Sequence, residues 1–322
     1  MPAPDTAISH PHPLLVDALA AAGFDATGAH FAPLKSGTDS LPFAATTRDG
    51  HQLVIKVRRA GSRSRYPTAA WASAHMRGAG IPAAEILWHS REACVETLCL
   101  GRSLEAEPPT PQNLDAARCA GEVLRRLHTI EVGSFGQLDG HGIGQHATIQ
   151  GWFLSLTPRN IPSLDGLDLP RLLHRTRFIL DVGSGRLPSS TPRLLHGDWV
   201  GRHLFTDGRQ ITGVVDLESV RGGDPLAELA GWSLREPAPM TEALLDGYFD
   251  GPIPADRLLP LVLFRLRIAY SLLHFHASCD EPDMVRLRAA QLQADLDDLD
   301  HGHLAAIPRI TPDAGSDARH RP

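Results

Sequence analysis

Apolar positions along this chain recur with one period before about residue 100 and another after it. Leu14 to Ala22 reads as an amphipathic opening helix that ends near Gly23. Short strand-like runs follow at Phe31 to Leu34, Phe43 to Thr47 and Gln52 to Arg58. Asp49-Gly50, between the last two, is a hairpin-turn signal. Tyr66 to Gly78 then reads as a helix stopped by Gly80 and Pro82, and Ile86 to Trp88 and Ala93 to Leu98 as two more strands. After Gly101 the spacing becomes helical, with Leu114, Ala117, Ala120, Leu124 and Leu127 on one face. A long apolar run, Leu258 to His276, predicts a second strong helix, and Met284, Leu287, Leu292, Leu296 and Leu299 mark a third. Between the first and second of these lies a compact strand region, Arg193 to Val215. Gly133 to His146 is rich in Gly and His and reads as a loop. The pattern predicts an α+β protein: a small antiparallel-sheet lobe over residues 1–98, a helix-rich lobe over 99–306 and a disordered tail over 307–322.

Composition narrows the class. The chain has 322 residues, 42% of them hydrophobic, enough to bury a sizeable core in one large domain or two lobes. A net charge of −6 argues against a nucleic-acid binder, which would carry a basic face. Arg265 and Arg267 interrupt the most apolar stretch, so it reads as a buried helix rather than a membrane span. Met1 to His12 holds prolines and polar groups without an apolar signal segment. Cys94, Cys99, Cys119 and Cys279 form no C-x-x-C pair and read as reduced, buried thiols of a cytoplasmic protein.

The chemistry concentrates between residues 194 and 225. Leu194-Leu195 leads the chain out of the core into the polar loop His196-Gly197-Asp198-Trp199-Val200-Gly201-Arg202-His203, and Leu204-Phe205 returns it to a strand. Asp207-Gly208 turns the chain, and Ile211 to Val215 runs back to Asp216. This hairpin brings Asp198, His203 and Asp216 to one spot. Phosphoryl transfer asks for such a spot, because its loose transition state needs positioning and charge neutralisation more than covalent chemistry. One carboxylate can hold the acceptor hydroxyl and take its proton, while a second carboxylate and a neutral ligand hold Mg²⁺ against the phosphates.

The ordered set His196-Gly197-Asp198, His203, Asp216 and Gly223-Asp224-Pro225 resembles the aminoglycoside phosphotransferase and choline kinase-like family. That family is a branch of the bilobal protein-kinase-like fold. The resemblance implies that Asp198 is the catalytic base, that Asp216 is a metal-holding carboxylate and that Asp224 braces the loop. It also implies a nucleotide, ATP or GTP, as phosphate donor. The family pattern has Asn where this chain has His203, which looks similar to macrolide phosphotransferases. Imidazole can ligate a divalent ion, but Mg²⁺ prefers oxygen, so the change points toward Mn²⁺.

Val54-Ile55-Lys56-Val57 places one Lys inside an apolar strand, where an ammonium is costly unless paired. An edge-strand Lys reaching water is the bland reading; the family uses such a Lys on the nucleotide phosphates. The loop Leu34 to Ser40, with Ser36, Gly37 and Thr38, stands at the right distance to cover phosphates. No G-x-x-x-x-G-K-[ST] or G-x-G-x-x-G occurs. Glu96, Thr97 and Leu98, before Gly101, resemble the family's inter-lobe linker, whose backbone would meet the purine edge. The family pairs its strand Lys with a Glu on the following helix, yet Ala60 to Ala79 contain no acidic residue. Either another group orients Lys56 or the helix lies elsewhere.

The remaining residues have blander readings beside functional ones. His274, His276 and Cys279 suggest zinc only weakly, since positions i and i+2 of a helix face apart. Arg202 could touch the transferred phosphate, and Glu218 could help with metal or acceptor. Asp280, Glu281 and Asp283 form an acidic turn suited to solvent or to a cationic substrate. Trp152 and Trp232 are core residues or acceptor-pocket walls. The leading expectation is a phosphotransferase acting on a small-molecule hydroxyl, an antibiotic above all. The alternatives are a metabolite kinase of choline, homoserine or sugar type and a non-catalytic nucleotide-binding protein.

Overall fold

The structure, a computed structural model, describes residues 13–35, 39–105, 109–156 and 167–303. It opens with helix α1 (Pro13–Ala21), then strands β1 (His30–Pro33), β2 (Ser40–Thr46) and β3 (Gln52–Arg58), helix α2 (Tyr66–Gly78), and strands β4 (Ile86–His89) and β5 (Ala93–Thr97). The five strands form one antiparallel sheet in the order β1-β2-β3-β5-β4. The predicted turn is present: Gly50 takes a positive φ of 90° and its N–H donates to Thr47 O at 3.0 Å. Leu15, Ala18 and Leu19 of α1 pack against Phe31, Ala45, Ile55 and Val95 in a small core of their own.

Beyond the sheet come β6 (Arg102–Ser103), α3 (Pro111–Leu127), β7 (Gly136–Gln137), α4 (Ile149–Phe153) and α5 (Leu169–Ser184). Then follow β8 (Arg193–Leu195), β9 (Leu204–Thr206), β10 (Ile211–Val214) and β11 (Arg221–Gly223), and helices α6 (Pro225–Ser233), α7 (Ala238–Phe249), α8 (Ala255–Ser278) and α9 (Pro282–Asp300). Two three-stranded sheets, β10-β9-β6 and β7-β11-β8, carry the loops of interest. α3 begins three residues before Leu114, because Thr110 Oγ1 accepts the Asn113 N–H at 3.2 Å and Pro111 needs no N–H partner. α3 and α7 lie against each other through two glycines. A Cβ on Gly121 would collide with Leu244 O, and one on Gly247 with Arg118 O.

Several expectations change. Gly133 to His146 is not all loop: β7 pairs with β11, and Phe135 and His146 exchange backbone hydrogen bonds. The segments α4, α5, α6 and α7 are helices that the pattern did not single out. Cys279 is exposed rather than buried, while Cys94 is buried and all four thiols are free. α8 is long and apolar enough to cross a membrane, but 67% of its apolar window is buried within the fold. Met1 to His12, the tail after Ile307, and Ser36, Gly37 and Thr38 lie outside the described residues.

Candidate active site

β8 delivers the chain into the His196–His203 loop, and the loop is anchored before it is functional. Trp199 and Val200 are fully buried, so Asp198 on one side and Arg202 and His203 on the other are held at the surface of the core. His196 is also buried; its Nε2 meets Val215 O at 2.9 Å and its Nδ1 accepts the Asp198 N–H at 3.3 Å. These two contacts fix its tautomer as Nε2–H. The N–H groups of His196 and Gly197 donate to Glu228 Oε2 and Oε1 at 2.8 and 2.6 Å. Glu228, on α6, also meets His128 Nε2 at 3.3 Å. Gly197 has φ of 85°, and a Cβ there would strike Ser219 O.

Asp224 was expected to brace this loop. Its carboxylate instead caps α6, accepting the Leu226 N–H at 2.9 Å. The brace itself is Glu228, one turn further along, so Asp224 acts by starting the helix that carries it. Glu236 contributes a second brace, accepting the Gly201 N–H at 2.7 Å, and burial pushes its carboxyl up to about 7.

Asp198, His203 and Asp216 do converge: one ligand atom from each lies within 4.8 Å of the others. Among the described residues this is the only such group of His, Cys, Asp or Glu; His274, His276 and Cys279 form none, and His276 pairs with Glu281. His203 Nδ1 meets Asp198 O at 3.0 Å, and its Nε2 lies 3.1 Å from Asp216 Oδ2 and accepts from Arg202 Nε at 3.2 Å. Nδ1 therefore carries the proton and Nε2 offers a lone pair beside a carboxylate. Burial drives the imidazole pKa down to about 3, keeping it neutral. Asp216 stands in the left-handed region at φ 66°, which Asp tolerates, and its side chain is half-exposed.

This donor set fits a divalent cation: one anionic oxygen and one neutral nitrogen facing the same point, with a guanidinium already drawn to it. Asp216 and His203 would hold the ion, and it would supply charge neutralisation at the transferred phosphate.

Asp198 is held by two arginines that sequence reasoning did not pair with it. Arg235, just past α6, donates from Nη1 to Oδ1 and is itself fixed by Nε to Gly231 O at 2.9 Å. Arg202 donates from Nη2 to Oδ2 at 2.8 Å, and its side chain is half-exposed. Burial opposes ionisation here, but the guanidinium groups of Arg235 and Arg202 overcome it and hold the carboxyl well below its usual range.

Lys56 sits in the middle of β3 with its ammonium 3.1 Å from Glu218 Oε1 and 3.3 Å from Glu96 Oε2. The carboxylates of Glu218, Glu96 and Asp216 hold it charged despite burial. Glu218 thus touches Lys56 rather than an open acceptor site. Glu96, read as linker backbone, presents a buried side chain to Lys56, and the Thr97 N–H is taken by Glu85 O at 3.0 Å. Leu98 follows Thr97 toward the linker. Trp152 and Trp232 are buried core residues; Trp152 packs between Phe135 and Arg267.

A family profile described as the phosphotransferase enzyme family (APH) matches residues 30–259, most of the chain. The chain belongs to that family and is a phosphotransferase of kinase-like fold. Three solved structures illustrate the fold. A thermostable mutant of aminoglycoside phosphotransferase APH(4)-Ia, in ternary complex with AMP-PNP and hygromycin B, is 21% identical with a TM-score of 0.68, over 89% of this chain and 95% of that one. A choline/ethanolamine kinase family protein from Mesorhizobium loti is 19% identical with a TM-score of 0.62, over 87% and 92%. Macrolide 2'-phosphotransferase MphH from Brachybacterium faecium is 18% identical with a TM-score of 0.54, over 92% and 98%. No curated protein matches the chain.

Proposed function

We propose that this protein transfers the γ-phosphate of ATP or GTP to a hydroxyl of a small-molecule antibiotic, with Asp198 orienting that hydroxyl. The observation that carries the reading is the convergence of Asp198, His203 and Asp216 on one point, with Lys56 held charged by carboxylates that include Asp216's. The acceptor oxygen attacks the γ-phosphorus, the bond from that phosphorus to the β,γ-bridging oxygen breaks, and the hydroxyl proton passes to Asp198 Oδ2. A carboxylate with so depressed a pKa is a weak base. Its role is to aim the hydroxyl and receive the proton late, which suits a loose transition state. Arg235 keeps Oδ1 fixed, while the half-exposed Arg202 leaves Oδ2 exchangeable for the acceptor and stands within reach of the transferred phosphate.

Two guanidinium groups on Asp198 work against a densely cationic acceptor, because each positive group brought near them costs Coulomb energy. We therefore favour an uncharged or sparsely charged antibiotic over a polycation. The His at the metal position points the same way. ATP or GTP supply and free thiols suit a cytoplasmic setting.

The test is transfer of labelled γ-phosphate to a panel of antibiotics and hydroxylated metabolites, with Mg²⁺ or Mn²⁺. Asp198→Asn should lower turnover of any labelled acceptor by about 10²-fold or more, with nucleotide affinity nearly unchanged. Unaltered turnover overturns the role of Asp198, and nucleotide binding without any labelled acceptor makes the protein a binding module.

A further inference from the structure

The charge pair that fixes Lys56 is built differently from the arrangement the family resemblance implies. α2 is where the sequence pattern places it, Tyr66–Gly78, and it carries no Asp or Glu. Its buried face is made largely of small residues, among them Ala69, Ala72 and Ser73, and the helix packs against the short 3-10 turn Leu217–Ser219. That turn brings in a carboxylate of its own. Both Glu218 oxygens reach Lys56 Nζ, at 3.1 and 3.3 Å, and the two side chains are 16% and 10% exposed.

The second carboxylate is set by sheet register. Lys56 lies opposite Cys94 on β5, so Glu96, two residues on, shares the face of the sheet from which the Lys side chain rises. Its Oε2 completes the cage at 3.3 Å. The Lys56 carbonyl accepts the Tyr66 hydroxyl at 3.2 Å, so α2 holds the backbone of Lys56 and leaves its ammonium to other elements.

We infer that Glu218 is the positioning residue for Lys56, taking the part of a helix-borne carboxylate, with Glu96 as its support. The inference rests on the phosphotransfer reading above, in which Lys56 meets the nucleotide phosphates. Its consequence is that Lys56 and the metal-facing carboxylate are set by one loop, because Glu218 lies two residues after Asp216. Movement of α2 does not by itself disengage the lysine.

A double-mutant cycle on nucleotide affinity tests this. A fluorescent non-hydrolysable ATP analogue is titrated into the full-length protein and into Lys56→Met, Glu218→Gln and the double variant. Each single change should weaken binding about tenfold, and the double variant should be no weaker than either, a coupling of about tenfold. Glu218→Asp keeps the charge but shortens the reach, and should fall between wild type and Glu218→Gln. The midpoints for Mg²⁺ and Mn²⁺, read from the same fluorescence signal, should stay put in Glu218→Gln. Additive losses in the cycle overturn the inference, as does a shifted metal midpoint with nucleotide affinity intact, which would make Glu218 a metal ligand. Melting curves report whether each variant folds; if Glu218→Gln does not, Lys56→Met, Glu96→Gln and their double variant give the same cycle, with an expected coupling of about threefold. A wild-type protein that binds no nucleotide overturns the phosphotransfer reading and this inference together, whereas binding with additive losses overturns this inference alone.

Discussion

At His203 both ring nitrogens are committed before any ligand arrives: Nδ1–H to Asp198 O, and Nε2 toward Asp216 and Arg202. A nitrogen donor at this point is softer than the amide oxygen of Asn. His203→Asn should therefore lower the half-activating Mg²⁺ concentration about tenfold relative to that of Mn²⁺, measured by metal titration of phosphate transfer. Identical metal profiles in the two proteins would show that His203 is no ligand. The residues of this cluster were legible in the sequence because they sit within one hairpin, at spacings a short motif can hold. The partners of Lys56 were not, since Glu218 lies 162 residues away and only the tertiary fold brings the two together. Arg235 and Glu228 escaped for another reason. Glu228 falls in an otherwise apolar helix and Arg235 just past its end, and nothing in their spacing announces that one grips the loop amides and the other Asp198.

The His196–His203 loop is held by an element that follows it. β8 and β11 pair, α6 starts at Asp224, and Glu228 reaches back to the two amides before Asp198. Gly197 is the tight point, with positive φ and the Ser219 carbonyl where a side chain would begin. Gly197→Ala should cost about 1–3 kcal/mol of stability, and more in turnover than in stability because the loop must shift away from Ser219. Denaturant melts and turnover of the same preparation separate the two; a variant with wild-type turnover would mean that the loop tolerates the shift. Elements with clean periodicity, such as β3, α2 and α8, were readable from the chain. α6 was not, because it is buried nearly all round and so shows no polar face. α5 was obscured by the opposite fault: Phe178 and Val182 are exposed large apolar residues that blur its stripe.

For the molecule as a whole, α8 is the spine, and its two arginines are part of the packing. Arg265 is fully buried, bonded to Asp295 of α9 through Nε and Nη2 at 3.0 and 3.1 Å and to Ser233 at the end of α6. Removing one partner strands the other charge in the core. Arg265→Met should cost about 3–5 kcal/mol, and adding Asp295→Leu should recover most of it, as measured by chemical denaturation. A double variant as unstable as the single one would show that the arginine matters for its shape rather than its charge.

The sheet and the helical part share a backbone seam. Val214 N–H donates to Pro82 O at 2.8 Å, Ala84 N–H donates to Val214 O at 2.9 Å, and Lys56 crosses nearby to Glu218. Val214 is two residues before Asp216. Any opening of the cleft that parts the sheet from β10 must break these two amide bonds and the ion pair. A motion that keeps these bonds therefore pivots on them, beneath Asp216. Its amplitude grows away from the seam toward β1, the far edge strand of the sheet.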